Sequence, residues 1–170
     1  MKTRTQILVL SLALLALACQ PTLQAPQRIG VFDSRAVAIA YANAPDFNKV
    51  PATLAERMKA AKEKGDKKEI AAIEREGMLH QAMMHEQGFG TGSVISILSL
   101  VKDSVAALAA RENVTLVVSK WELVYCAKNV ELVDLTEKVA EFFHPNERVR
   151  SILKEVPKHE PVKDAYLIQD

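Results

Sequence analysis

Residues 50–87 constrain the fold more than any other segment, because they carry a long helical pattern with very little apolar surface. The segment is rich in Ala, Glu, Lys, Met and Gln, which favour helix, and Pro51 lies where a first helical turn tolerates proline. Seven basic and seven acidic residues leave a thin apolar stripe, made of Leu54, Met58, Ile70, Ile73 and Leu79. We therefore predict a long, mostly solvated helix with Gly65 and Gly77 as candidate kinks.

A second helix is predicted after the glycine-rich run Gly88–Gly92, with Ser93 as its cap and its end near Glu112. Apolar residues cover more than one face of this helix, so it must bury against several neighbours or across a subunit interface. A monomer of this size offers too little other apolar surface to cover them. We therefore expect an oligomer interface formed by Val94, Ile97, Val101, Val105 and Leu108.

The two predicted helices differ in length, which limits how they can pair. A helix over residues 50–87 would be ~57 Å long, whereas a second helix of about 20 residues covers only ~30 Å. The two cannot pair along their whole length if both lead back to one sheet. We therefore expect residues 78–92 to form an irregular tip that includes Phe89.

Short β-forming runs stand on both sides of this helical region. Ile29–Phe32 predicts a strand, and Asp33 or Ser34 can cap the helix that follows it. Val114–Val118 and Leu123–Ala127 predict two further strands, which we expect to be neighbours.

Two shorter helices are predicted to close the chain. Leu135–Phe143 has helical spacing, and a further helix and a proline-punctuated tail follow in residues 145–170. Together with the strands, these elements predict an α+β fold. It comprises a small β-rich body within residues 28–144 and a protruding helical hairpin arm at about 50–112.

The first eighteen residues are typical of a secretory signal peptide. Lys2 and Arg4 supply the positive start, and the apolar stretch Ile7–Ala18, too short to span a bilayer, ends in a small-x-small cleavage site. Cys19 follows immediately, at the place of the lipid-acceptor cysteine of bacterial lipoproteins, and residues 19–27 would form a tether. Export is therefore expected, with lipid anchoring through Cys19 and plain secretion as equal alternatives.

The charge of the chain excludes a general attraction to polyanions. Its formal charge is +1, and cleavage before Cys19 removes Lys2 and Arg4 to leave −1. Such a balance attracts neither nucleic acid nor an anionic lipid surface. We therefore expect no nucleic-acid partner.

The densest group of side chains that could carry chemistry lies in residues 78–86. Because five helical steps turn through about 140°, His80 and His85 point to different faces and cannot share one zinc ion on an intact helix. Met83 and Met84 share a face with His80, a soft arrangement that suits copper(I). Methionine is also an adaptable filler of loose apolar surfaces, and we prefer this packing or client-contact interpretation. No metal or cofactor is expected.

The sequence contains no recognisable catalytic motif. It has no Gly-rich phosphate loop after a strand, no nucleophile elbow and no paired-cysteine motif. His144 and His159 lie near prolines and are expected to be solvated, while Trp121 and Tyr125 are expected to pack the body. Cys126 is expected to be an inert thiol in a buried strand. These observations argue against an enzyme.

Two stretches of the chain resemble the Skp/OmpH family of periplasmic chaperones. Arg28–Asp33, with Val37 four residues later, is similar to the opening strand and aspartate of that family. Val117-Val118, then Val124-Tyr125, then Asp134–Val139 are similar to its closing strands and to the Asp-Ile-Thr start of its last helix. Between these stretches only helical character is shared.

The resemblance implies a periplasmic homotrimer whose helical arms enclose unfolded outer-membrane proteins, without a cofactor or catalysis. The client-binding residues it implies lie on the arm and its tip: Leu54, Met58, Ile70, Ile73, Leu79, Met83, Met84 and Phe89. The chain departs from the family in its near-neutral charge, its short return helix and its tail. Three functions therefore stay open: a holdase chaperone, a structural or interaction lipoprotein of the envelope, and a Met/His copper-handling protein.

Overall fold

The computed structural model describes residues 26–168, and its centre is a three-stranded parallel sheet. The strands are β1 (Gln27–Phe32), β2 (Leu116–Ser119) and β3 (Val130–Asp134), and β1 lies between the other two. Ile29 of β1 pairs with Leu116 on one side and with Leu132 on the other. The expected mixture of helix and strand is confirmed. The predicted signal peptide and Cys19 lie outside the described residues.

Helices make up most of the rest of the described chain. They are α1 (Ser34–Ala42), α2 (Lys49–Lys64), α3 (Lys67–Gly88), α4 (Ile95–Ser99), α5 (Lys102–Arg111), α6 (Thr136–Ala140) and α7 (Glu147–Glu155). Short 3-10 turns lie at Pro45–Asn48, Glu141–Phe143, Val156–Lys158 and Ala165–Leu167. Among residues 26–168, no helix combines the length and the apolar character needed to cross a bilayer.

Helix α1 begins where the sequence predicted it, because Asp33 caps it. The Asp33 carboxylate accepts a hydrogen bond from the Arg35 backbone N–H. The helix ends at Ala42, ahead of Pro45. This cap places the first turn of α1 directly at the carboxyl end of β1.

Helices α2 and α3 form a helical hairpin in place of the single long helix predicted over residues 50–87. The chain reverses at Gly65, whose φ is +66°, and the Asp66 side chain caps α3 by accepting from the Glu69 N–H. Arg57 of α2 then reaches across to Glu69 and Glu76 of α3, at 3.0 and 2.7 Å. Gly65 therefore ends a helix, whereas Gly77 lies within α3.

Residues 78–92 are not the irregular tip that the sequence predicted. Helix α3 continues to Gly88, and the reversal at Gly65 already brings the chain back to the body. The length mismatch that led to the prediction disappears once the long segment is folded in two.

The predicted second helix over residues 93–112 is also interrupted. Helices α4 and α5 replace it, and Val101 between them has φ −124° and ψ 24°, outside the helical region. β-Branched residues at Val94, Ile95 and Ile97 lower the helix propensity at the start of this segment. The hairpin partner of α2 is therefore α3 and not this segment.

The strand predicted at Leu123–Ala127 is wrong, because the free edge of β1 pairs with Val130–Asp134 instead. Val124 is 99% exposed and Tyr125 is 81% exposed, so Tyr125 does not pack the body. Cys126 is half-buried in this irregular segment and not in a buried strand. The strand predicted at Val114–Val118 does form, as β2. Its neighbour in the sheet is β1 and not the next strand along the chain, because β1 lies between β2 and β3.

The core lies between one face of the sheet and helices α1, α4, α5, α6 and α7. Its centre includes the fully buried Val37, Leu108 and Leu135. Gly30 of β1 is required here because a Cβ at this position would lie 2.5 Å from Leu135 Cδ1. The closing helices α6 and α7 confirm the helices predicted near residues 135–143 and after Pro145.

The second face of the sheet is apolar and partly exposed. Paired residues of a parallel sheet point to the same side, so this face carries the row Leu116, Ile29 and Leu132. Leu116 is 51% exposed and Leu132 is 45% exposed. Purely parallel sheets usually have both faces covered.

Candidate binding groove

An apolar groove of about 650 Å³ lies where the base of the hairpin meets the body. One wall is the second half of α1, with Ile39 and Tyr41, and the facing wall is the last three turns of α3. Helix α4 and the start of α2 complete it. The groove volume falls in the range typical of ligand-binding clefts, about 300–1,000 Å³.

Aromatic contacts hold the α1 side of the groove in place. The Tyr41 ring packs edge-on against Phe47 at 5.7 Å and against Phe143 at 5.6 Å between ring centroids. Phe47 also stands 6.3 Å from the His80 ring of α3. Tyr41 and Phe47 therefore join both helical walls to the core.

The groove is lined by apolar side chains that remain partly open to solvent. Those on its rim include Val50, Met83, Phe89, Leu100 and Ile152, each between 42% and 64% exposed. Within the described chain, the lining residues include no Asp, Glu, Lys or Arg. Contiguous exposed apolar surface of this kind marks interaction sites more often than ordinary surface.

The groove collects some of the predicted client-binding residues but not all. Met83, Met84 and Phe89 line it, whereas Leu79, 66% exposed, lies on α3 outside the lining. Ile73 is buried, and three more residues are half-buried on the hairpin, namely Leu54, Met58 and Ile70. Most of the thin apolar stripe on the charged hairpin is therefore only partly accessible to a client.

Most of the predicted oligomer interface is occupied within one chain. Val94, Ile97 and Leu108 are buried in the core, between 0% and 5% exposed. Val101 and Val105 are half-buried. The argument that a monomer cannot cover these residues was wrong, because α1 and the sheet provide the missing apolar surface.

Several groove residues were not identified from the sequence. Tyr41, Phe47 and Leu100 lie on three separate segments, and Ile152 belongs to the C-terminal helix α7. Helix α7 buries Val149 and Leu153 in the core and leaves Ile152 on the groove rim. The helical spacing of Val149, Ile152 and Leu153 was a usable signal, but the sequence did not show which helix Ile152 would meet.

A buried charged cluster lies at the carboxyl end of the sheet, away from the groove. Asp33 is fully buried and accepts hydrogen bonds from the Arg35 side chain at 2.8 and 3.0 Å, from Lys120 at 2.9 Å and from Trp121 Nε1 at 3.1 Å. The Trp121 ring lies 4.9 Å from the Arg35 guanidinium and 4.4 Å from Lys120 Nζ.

The cluster is saturated, which argues against a catalytic role for Asp33. Burial alone would raise the pKa of Asp33, but the hydrogen bonds from Arg35, Lys120 and Trp121 lower it from 3.8 to about 2. Both carboxylate oxygens already have partners. Arg35 also donates to the carbonyls of Val156 and His159, so the cluster ties the C-terminal tail to the sheet.

The histidines occupy different environments. His80 and His85 both line the groove. They point to different faces of α3, as the helical angle predicted, and the groove contacts both faces. His85 Nδ1 lies 3.1 Å from the Ile168 carbonyl oxygen. His144 and His159 are exposed. In the described part of the chain, no three His, Cys, Asp or Glu side chains group closely enough to hold a metal ion.

Comparison of the chain with family models, with curated proteins and with solved structures found no match.

Proposed function

We propose that the protein is a periplasmic holdase-type chaperone that binds apolar segments of unfolded outer-membrane proteins in the groove. The observation that carries the proposal is the apolar lining, with Met83, Met84 and Phe89 presented together at the end of α3. Methionine side chains are flexible and polarisable, so they adapt to ligands of different shape. A chaperone needs this adaptability, whereas a selective enzyme pocket does not.

The walls of the groove favour recognition through side chains alone. They are mainly helical, so most of their backbone groups are used within the helices and offer no strand edge to an extended client. A lining without Asp, Glu, Lys or Arg offers no ion-pair partner to a charged client segment. Both features suit a client identified only by its apolar character.

The test is suppression of aggregation of a urea-denatured outer-membrane β-barrel on dilution, followed by light scattering. We expect the intact protein to suppress scattering, and Met83→Glu or Phe89→Glu to abolish the effect because each places a charge in the apolar groove. Met78→Glu is the matched control, since Met78 lies on the same helix, is 63% exposed and does not line the groove.

Two results would contradict the proposal. Failure of the intact protein to suppress aggregation would remove the holdase function and favour the structural or interaction lipoprotein. Equal loss with Met78→Glu and Met83→Glu would show that the groove is not the binding element. Circular dichroism of each variant separates these outcomes from misfolding.

We also propose that the protein assembles as a homotrimer, but through the second face of the sheet and not through α4 and α5. The exposed apolar row at Leu116 and Leu132 supports an interface between copies, because an all-parallel sheet is expected to have this face covered, and the number of three rests on the resemblance to the Skp/OmpH family. Light scattering coupled to size exclusion should give a trimer that Leu132→Glu dissociates. Leu167→Glu, at a 65% exposed site on the tail, should leave the trimer intact.

The cellular location rests on the N-terminal sequence. We propose export to the periplasm, either as a free protein or as a lipoprotein anchored through Cys19. Mass spectrometry of protein extracted from membranes distinguishes the two, because a lipoprotein begins at Cys19 and carries the added mass of its acyl chains. If the mature protein has an unmodified N-terminus and the Cys19→Ser variant has the same location as the wild type, the protein is secreted without a lipid anchor.

A further inference from the structure

Soft metal-ligand side chains are concentrated in one short part of the chain. Three of the five methionines and two of the four histidines lie within residues 78–85. Sulfur and imidazole groups are therefore concentrated in this segment more than elsewhere in the chain.

Three of these side chains share one face of α3 and one cavity. His80, Met83 and Met84 stand at positions i, i+3 and i+4, and all three line the groove. This spacing puts neighbouring Cβ atoms about 5–6 Å apart on a helix, within reach of long thioether side chains and an imidazole. His80 and Met84 are half-buried, while Met83 is 47% exposed and remains accessible from solvent.

The surroundings of the three side chains select the kind of metal. The described lining of the groove has no carboxylate, so hard cations such as Mg²⁺ and Ca²⁺ find no suitable ligand there. Thioether and imidazole ligands suit copper(I), which accepts low coordination numbers. Tyr41, Phe47 and Ile152 add apolar surface around the three side chains.

We infer that His80, Met83 and Met84 form a copper(I) site, with one imidazole nitrogen and two thioether sulfurs as ligands. The metal binds and leaves as copper(I), so no oxidation or reduction is involved. The inference goes beyond the proposed chaperone function and does not rest on it. Metal and client would compete for the same groove, because both use the side chains of Met83 and Met84.

The test is an anaerobic competition titration of the full-length protein against the copper(I) chelator bicinchoninate. Because thiolates also bind copper(I), the protein is measured both as it stands and with Cys19→Ser and Cys126→Ser. We expect one equivalent of copper(I) to be retained in both backgrounds. Met83→Leu with Met84→Leu, or His80→Asn alone, should weaken binding at least tenfold.

Met78→Leu is the control, because it makes the same change on the same helix outside the groove. It should leave copper(I) affinity unchanged. The inference is overturned if the cysteine-free protein does not compete with the chelator, or if the Met83→Leu, Met84→Leu variant competes as well as its parent. Leucine is a good helix former and close to methionine in volume, so loss of folding is not expected to obscure the result.

Aggregation suppression and copper(I) retention by the intact protein are measured separately, so the chaperone proposal and this inference can fail independently. The double leucine variant removes both thioethers and should lose copper(I). Met83→Glu should lose both. A protein that suppresses aggregation but binds no copper(I) supports the chaperone proposal and refutes the copper(I) site. A protein that binds copper(I) but does not suppress aggregation supports the copper(I) site and refutes the chaperone proposal.

Discussion

Asp33 and Arg35 form an ion pair with 2.8 Å between Oδ2 and Nη2, and their side chains are only 0% and 4% exposed. Two residues apart in sequence, they join the carboxyl end of β1 to the first turn of α1. Through Arg35 the same pair also reaches the Val156 and His159 carbonyls of the tail. Much of the polar bonding that connects sheet, helix and tail therefore depends on one carboxylate.

Asp33→Asn should lower the free energy of unfolding by about 3–5 kcal/mol, because it leaves Arg35 buried without its counter-charge. Urea denaturation followed by circular dichroism measures the change. Glu141→Gln is the control, since the Arg150–Glu141 pair is also doubly bonded but lies on the surface. A similar loss in both variants would show that burial of the Asp33 pair is not what matters.

Acid should weaken the fold through the same carboxylate. The pKa of Asp33 is lowered to about 2 in the folded protein, so the folded state binds this proton less readily than the unfolded state, whose value is near 3.8. The stabilisation is present above pH 3.8 and is lost as the pH falls through about 2. Urea midpoints between pH 5 and pH 2 should show the wild type and Asp33→Asn converging. A constant difference across this range would contradict the assignment.

The hairpin offers a pair of glycine substitutions with opposite expected signs, one at its reversal and one inside α3. A Cβ added at Gly65 or at Gly77 would meet no other atom within 4 Å, so neither change is limited by space. Gly65→Ala should destabilise by about 1 kcal/mol, because the φ of +66° is unfavourable for alanine. Gly77→Ala should stabilise by about 0.5–1 kcal/mol, because Gly77 lies inside α3.

Thermal unfolding of the two glycine variants measures both effects. Stabilisation by both substitutions would mean that the chain does not reverse at Gly65 and that residues 50–87 form one long helix, as the sequence alone predicted.

Gly30→Ala should destabilise the protein by about 1–3 kcal/mol, because its Cβ would approach Leu135 Cδ1 to 2.5 Å in the centre of the core. The variant Gly30→Ala with Leu135→Val tests the cause, since valine lacks the atom in conflict. We expect the double variant to be more stable than the sum of its single changes predicts. Both are measured by denaturant unfolding. If the stability changes of the two single variants simply add, the destabilisation by Gly30→Ala does not come from its contact with Leu135.

Local signals in the sequence identified the elements whose boundaries are set by neighbouring residues. Asp33 as a cap, Ile29–Phe32 as a strand and the end of α1 ahead of Pro45 depend on capping, apolar runs and proline, which act within a few residues. The position of β3 could not be predicted from the sequence, because Leu123–Ala127 has the stronger β-forming composition. Pairing with β1, 103 residues away along the chain at Arg28 and Glu131, decides it instead.

The candidate site shows the same division. Met83, Met84 and Phe89 were found because they belong to one segment with an unusual composition. Tyr41 and Ile152 were missed because the groove joins residues from distant parts of the chain, which no spacing rule connects. The interface predicted at Val94, Ile97 and Leu108 failed for a related reason, since the covering surface comes from α1 and the sheet.

The central position of β1 has a consequence for the order of folding. This strand is the first element of the described chain, yet its partners begin only at Leu116 and Val130. A chain that becomes available from its N-terminus can close the hairpin at Gly65 through contacts between nearby residues, whereas β1 must wait for both partners. Pulse-labelling hydrogen exchange should therefore protect α2 and α3 before β1. A chain synthesised in this order cannot complete its sheet until the last third of the chain, which carries β2 and β3, is available for pairing.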